Sequence, residues 1–494
     1  MSHKPDITSW QRLDTVGKIE GNKLFRLFVV RLTMLEINFS RSLSRLLSNK
    51  FKVLEVAVFS LWYLAMFPGR LGFDNSEAIR MIQRGESTDL WSATFFWYLK
   101  IVTFWGESII LASFISYLLL SFSLKYFILG LPGDIRILRK SYLLVLATPI
   151  VSVFGLTVSH DAFQVSGILL LVGYHLRQQA GFAQSEKKSL FLVFLAYASL
   201  MTTHFGLIII FLDLIFKVFQ KFKIAVVLAV LISLLFTLSS FGITKHDPSA
   251  RTTWLVADLK CVAQHSQARL SDSDWNFLQT IAPKQEWTTP LSCTTVDEPV
   301  GSLKNRNKEA MHLSIDFAES YLKIALKNPA IVGMAHIQRS RGALPPPFFQ
   351  GPDNQVELDP SVPIGQGTNI ALQNSFEMLH PSVDEPSVDL DLTILKPLQL
   401  VAQALTFTVN QASWFWGWGG LWLWPLIYFF LSRIRVQSVI ARFKALSPLF
   451  LLHFLLVAVG PAPLPRYVMA AVIMGLSATT CIFIEWLEKI RVKI

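Results

Sequence analysis

Ten windows of apolar residues, each near membrane-spanning length, recur along this chain and constrain its fold more than any motif does. They lie near 53–69, 107–124, 141–158, 161–176, 189–203, 205–219, 224–243, 414–432, 445–460 and 467–486. Inside a hydrocarbon core of about 30 Å the backbone finds no water to bond, so only helices or closed barrels can cross it. Windows of this length predict helices, and the chain reads as an all-α polytopic membrane protein with about ten transmembrane helices. The composition agrees. Hydrophobic residues make up 52% and charged residues 16%, which excludes a soluble enzyme on a single anchor. With 38 Phe and 14 Trp to bury, disorder is excluded too.

Orientation follows from Lys and Arg, which mark cytoplasmic connections. Residues 1–52 carry ten of them, without a compact apolar core ending in small residues that would make a cleavable signal. Within that segment, Leu24, Phe28, Leu32, Leu35, Phe39 and Leu43 recur at helical spacing among arginines, as in a helix lying on anionic headgroups. Placing the N-terminus in the cytoplasm puts every short basic connection on the same side, including Arg136–Arg139–Lys140, Lys187–Lys188, Arg433–Arg435 and Lys489–Arg491. The net charge of +11 is thereby explained as a topology signal, with no nucleic-acid partner implied. Segments 189–203 and 205–219 are each about 22 Å as helices, short for the core. One long helix across 189–219 is the alternative, but it would put Arg433, Arg435, Arg442 and Lys444 outside. The charge pattern favours two short helices meeting near His204.

The chain thus divides into four parts. Residues 1–52 form a cytoplasmic amphipathic segment, and 53–243 a transmembrane region whose first outer loop spans 70–106. Residues 244–410 form a large extracytoplasmic insertion of helical and irregular structure, and 411–494 a C-terminal transmembrane region. Both termini are then cytoplasmic, in a plasma (inner) membrane. Within the insertion, 309–340 is helix-like, with Ala310, Ile315, Ala318 and Leu322 on one face. A Pro-rich stretch at 342–392 reads as loop. Cys481 sits in an apolar window as a core thiol. Cys261 and Cys293 share the insertion and are a disulfide candidate if it faces an oxidising compartment.

Ionisable residues at the outer face need a reason to be there. The first outer loop contains Gly72-Phe73-Asp74-Asn75-Ser76-Glu77. Asp74 suits a general base that deprotonates an acceptor hydroxyl; alternatively it caps a helix over 76–84. Asp89, further along the loop, reads as a cap. The turn Ser159-His160-Asp161 joins two windows with almost no loop. It offers a phosphate contact, acid–base assistance or a metal-ligand pair, with a capping role for Asp161 as the bland alternative. His204 returns to the same layer. Arg466, in Pro463-Leu464-Pro465-Arg466-Tyr467, suits phosphate binding or headgroup snorkelling. The run Trp414-Phe415-Trp416-Gly417-Trp418, with Trp422 and Trp424, reads as an interfacial belt. Arg339 and Arg341 read as solvated charges, and Asp213, near Lys217, as structural. Asp74, Glu77, His160, Asp161, His204 and Arg466 come from four separated connections and share one face in this topology.

With an acidic residue early in the first outer loop, a short His-Asp turn after the third window and an outer Arg-Tyr near the C-terminus, the chain resembles the polytopic glycosyltransferases of the GT-C fold. These include protein O-mannosyltransferases, the lipid A aminoarabinose transferase and oligosaccharyltransferase subunits. The resemblance covers the architecture from about 50 to 490. It implies an inverting transfer of sugar from a polyprenyl-phosphate donor to a glycan, lipid or protein acceptor at the extracytoplasmic face, with Asp74 as base. Glu77, His160, Asp161, His204 and Arg466 would bind donor phosphate or substrate. Members often carry a paired Asp-Glu or an Asp-x-Asp, where this chain has Asp74-Asn75 and a lone Asp161. Whether Asp74 and Asp161 hold a divalent metal, Mg or Mn, is therefore open. The rival classes are a transporter or flippase of lipid-linked saccharides, an O-antigen polymerase or ligase, and a non-catalytic scaffold. An enzyme needs the named residues to converge on one cavity.

Overall fold

The computed structural model describes residues 50–67, 69–71, 73–85, 92–106, 108–180, 185–220, 226–234, 252–291, 293, 297–340, most of 397–405, 419–432, 444–459 and 465–493. The expectations for the amphipathic N-terminal segment, Asp89, Arg341, the Pro-rich stretch and the Trp414–Trp418 run lie outside the described residues. The chain divides into Met1–Val58 and Phe59–Ile494. Of the first unit only the opening of one helix is described.

The helices are α1 (Lys50–Ala65), α2 (Phe73–Gln83), α3 (Ala93–Val102), α4 (Ile110–Ile128), α5 (Ile135–Ala147), α6 (Pro149–Leu156), α7 (His160–Gln179), α8 (Glu186–Leu200) and α9 (His204–Gln220). A second set, α10 (Thr253–Ala263), α11 (Asp272–Ile281), α12 (Lys284–Thr288), α13 (Asp297–Gly301), α14 (Ile315–Lys327) and α15 (Pro329–Ser340), builds the insertion. Three more, α16 (Gly419–Leu431), α17 (Ser447–Val459) and α18 (Pro465–Lys493), return to apolar sequence. Two residue pairs add a parallel bridge, β1 (Arg70–Leu71) beside β2 (Thr157–Val158).

Among the described residues two helices are long and apolar enough to cross a membrane, Ile110–Ile128 and Val468–Arg491. A third crossing is added if α5 and α6, bent by 64°, count as one. The bend corrects the expected single helix over 141–158. Pro149 has no N–H to continue the ladder of α5 and opens α6 instead. The segment 189–219 is two helices, broken at 201–203.

α7 is the centre of the bundle, packed on α4, α8, α17 and α18. Its residues from Asp161 to Tyr174 are all buried. Polar Gln164 and Ser166 are tolerated there because the helix faces protein rather than lipid. Two glycines allow the close packing. A Cβ on Gly167 would stand 2.8 Å from the Ala196 carbonyl, and one on Gly173 would stand 2.9 Å from Phe127 Cα. Asp213, on α9, is a buried structural carboxylate. It accepts from Tyr197 Oη and lies 3.0 Å from His175 Nε2, tying α9 to α8 and α7.

The insertion has a core of its own, built from residues such as Val256, Leu259, Leu278, Trp287, Leu303 and Phe317. Trp287 Nε1 donates to the carbonyls of Leu278 (2.9 Å) and Ala282 (3.0 Å). Lys260 is buried and donates to the carbonyls of Trp287 (2.9 Å) and Thr289 (2.5 Å); burial pulls its ammonium down to about 8. Arg339 is fully buried against the buried Asp258 carboxylate, which corrects its reading as a solvated charge. Cys261 and Cys293 are joined, with Cα atoms 6.0 Å apart and a sequence separation of 32. Closing a loop of that length restricts the unfolded chain by about 3–4 kcal/mol. Cys293→Ser is therefore expected to lower the stability of α10–α15 by that order, read by hydrogen exchange across 252–291. Unchanged exchange would show that the bond contributes nothing.

Candidate functional site

The β1–β2 bridge is short, but it decides where the site lies. Arg70 pairs with Thr157 and Leu71 with Val158, in parallel. The chain leaves both strands in the same direction and enters helices almost at once, α2 at Phe73 and α7 at His160. Two helix N-termini far apart in sequence, at Phe73 and His160, therefore stand side by side. Asn75 locks them: its Nδ2 donates to the Val158 carbonyl at 2.8 Å, in a buried position. A third connection joins at the same place. Thr202, in the turn between α8 and α9, donates from Oγ1 to the Ser199 carbonyl at 2.6 Å, and the same oxygen lies 3.3 Å from the His160 carbonyl. Lys140, midway along α5, holds Glu488 near the end of α18 at 2.6 Å. Arg466 is the second residue of α18.

Asp74 is the second residue of α2. It is in the first turn and is not the cap of a later helix, which corrects the alternative reading of a cap over 76–84. Glu77 is one turn further on. The side chains of Asp74, Glu77 and Arg466 lie outside the described set. At α7 the cap is Ser159, whose Oγ accepts from the Asp161 amide at 3.0 Å. That removes capping from Asp161. Its carboxylate is buried, with Ser159 Oγ donating to Oδ2 at 3.3 Å and His160 Nε2 lying 3.5 Å from Oδ1. His160 meets the ring of Phe95 edge-on, 5.5 Å between centroids. His204 opens α9 and is exposed.

Three buried polar atoms at this junction, Asn75 Oδ1, His160 Nδ1 and Gln164 Nε2, have no hydrogen-bond partner. Buried polar groups are nearly always satisfied, so a cluster of exceptions marks a place where a ligand can supply the partners. Asn75, Gln164 and Thr202 were not singled out by the sequence. Gln164 had a signal, as an amide one turn after His160 in an apolar window. Among the described residues no three His, Cys, Asp or Glu side chains assemble into a metal site.

Beneath the junction lies a cavity of about 940 Å³ between α3, α4, α7 and α8. Its walls are almost wholly apolar, with Trp97, Tyr98, Leu118, Phe163 and Phe191 among them. Leu118 and Phe191 are exposed on the outside of the bundle, so the cavity is open sideways. Thr202 lines its other end and is the residue that reaches the His160 carbonyl. Asn75, His160, Asp161, Gln164 and His204 are not among the residues that line it; Thr202 alone connects it to the junction. Of the belt tryptophans, Trp424 is exposed, whereas Trp422 is buried against Gly475 of α18.

No protein-family model matches the chain, and no curated protein matches it. Among solved structures the chain is similar to ArnT from Cupriavidus metallidurans, in a crystal structure bound to undecaprenyl phosphate. The two share 14% identity over 87% of this chain and 76% of that one, with a TM-score of 0.32. At that level the functional reading rests on this chain's own residues.

Proposed function

We infer that this membrane protein transfers a sugar from a polyprenyl-phosphate-linked donor to an acceptor hydroxyl at the extracytoplasmic face. One observation carries the reading: an apolar cavity, open to the side, is lined by Thr202, whose hydroxyl lies 3.3 Å from the His160 carbonyl at the start of α7. A lipid-linked phosphate needs both parts. Its chain needs an apolar channel that can be entered from the bilayer. Its phosphate needs donors and positive potential, which the N-termini of α2, α7 and α9 provide. Arg466 adds a full positive charge at the start of α18, suited to bidentate phosphate contact.

The division of labour follows from the chemistry. The leaving group is a phosphate anion and needs no proton, only electrostatic stabilisation by Arg466 and His160. The acceptor hydroxyl must lose a proton, and Asp74 is the base. Direct attack by the acceptor on the sugar carbon inverts that centre. Asp161, Glu77 and His204 bind the sugar and acceptor. The unpaired atoms of Asn75 and Gln164 are suited to sugar hydroxyls.

Native mass spectrometry in mild detergent tests the reading on three proteins: wild type, Arg466→Ala, and Ala198→Trp, which places an indole in the cavity. The wild type is expected to retain a polyprenyl phosphate or its glycosylated form. Arg466→Ala should hold it weakly, and Ala198→Trp should exclude it. Bulk phospholipid alone in all three would overturn the donor assignment.

A further inference from the structure

The insertion carries one surface that its own core leaves uncovered. On α14 the inward side is Phe317 and Ile324, both buried. One outward flank is polar, with Glu319 and Lys323. Between the two runs a stripe at Ile315, Leu322 and Leu326, which are 85%, 54% and 77% exposed. Positions i, i+7 and i+11 of a helix fall within about 40° of one another, so these three share a face. α15 repeats the pattern after the break at Asn328. Its exposed residues past Pro329 are Ala330, Gly333, Met334 and Ile337, with no charge or hydroxyl among them. A helix bathed in water carries polar residues on that face. An apolar patch spread over two neighbouring helices marks an interaction surface.

Its position identifies the occupant. Ser340, the last residue of α15, donates from Oγ to the carbonyls of Leu456 (3.1 Å) and Val457 (3.2 Å). Those carbonyls belong to the final turn of α17, an apolar helix with Phe454 exposed on its flank. The patch therefore begins where a bundle helix ends and continues the apolar exterior of the bundle. We propose that α14 and α15 lie on the outer leaflet of the bilayer, with this apolar face sunk among the headgroups and first methylenes, as interfacial helices do. Lys323, on the polar flank, is placed to meet lipid phosphates. The insertion is then held at a fixed height beside the end of α17. The inference is independent of the transferase reading, since a flippase or ligase with these helices would dock in the same way.

The test uses the full chain with Cys481→Ser, the Cys261–Cys293 bond kept, and Leu326→Cys labelled with an environment-sensitive NBD dye. The protein is reconstituted into phosphatidylcholine–phosphatidylglycerol vesicles. Emission is expected to shift to the blue. Lipids carrying a nitroxide near the headgroup should quench it about two-fold more than the same dye at exposed Gln285, the depth expected of an interfacial helix. Quenching equal to that at Gln285 overturns the proposal. A blue shift without lipid quenching also overturns it, and assigns the cover to residues 341–418, a second copy or another protein. Ile337→Cys repeats the measurement on α15, so the result does not hang on one variant.

Discussion

Asp74→Asn is expected to lower sugar transfer by about 10²–10⁴-fold, the range that a positioned general base contributes. The fold should be unchanged. Asp74 is in the first turn of α2, where its negative charge meets the helix dipole. The amide in its place forfeits only about 0.3–1 kcal/mol of that interaction. The tie that sets α2 against α7 runs through Asn75 and the Val158 carbonyl, which the substitution does not touch. Lost transfer with a retained thermal midpoint and retained lipid in native mass spectrometry would therefore assign a chemical role to Asp74. Full activity in Asp74→Asn would remove Asp74 as the base. A variant that loses lipid and transfer together would place it in donor binding instead. Asp74→Glu keeps a carboxylate and is expected to recover part of the rate.

What the sequence made legible follows from the range of each interaction. Helix positions were legible because an apolar helix is written in one continuous window, and the described parts of the expected windows are mainly helical, though only two or three of these helices are long and apolar enough to cross a membrane. The bend between α5 and α6 was hidden because the apolar window runs through Thr148 and Pro149 without a break. The inside of the bundle was hidden as well. Gln164 on α7 is explained only once α4, α8, α17 and α18 surround it. At the site, His160 and Asp161 were readable as ionisable residues in a turn with no room for a loop. The bridge that brings them beside Phe73 and Asp74 is two residues on each side, far too short to leave a period. The insertion misled in a further way. The face of Ile315 and Leu322 was legible as an apolar helix face, but apolar periodicity does not say what will cover it. Here the core took Phe317 and Ile324 instead.

The largest expected loss of stability is at Asp258→Ala, about 3–5 kcal/mol, the cost of stripping a buried charge of its partner. Asp258 and Arg339 are both fully buried. Asp258 Oδ2 also accepts from Tyr321 Oη at 2.8 Å and lies 2.9 Å from His336 Nε2. Burial and the neighbouring carboxylate push the Tyr321 phenol up, so it stays a neutral donor at any physiological pH. Removing the carboxylate leaves two hydrogen-bond donors without an acceptor and the guanidinium without a counter-charge. Arg339 already has Nε and Nη1 unpaired, so little else in its surroundings can compensate. The pair joins α10 to α15 across 81 residues, and α15 in turn holds α17 through Ser340. Hydrogen exchange is expected to rise across 253–263 and 329–340 while α7 and α18 keep their protection. Asp258→Leu combined with Arg339→Met removes both charges and should cost less than either single change. A loss below about 1 kcal/mol in Asp258→Ala, the level of an exposed ion pair, would mean that Arg339 finds its counter-charge elsewhere and that this cluster does not hold the insertion together.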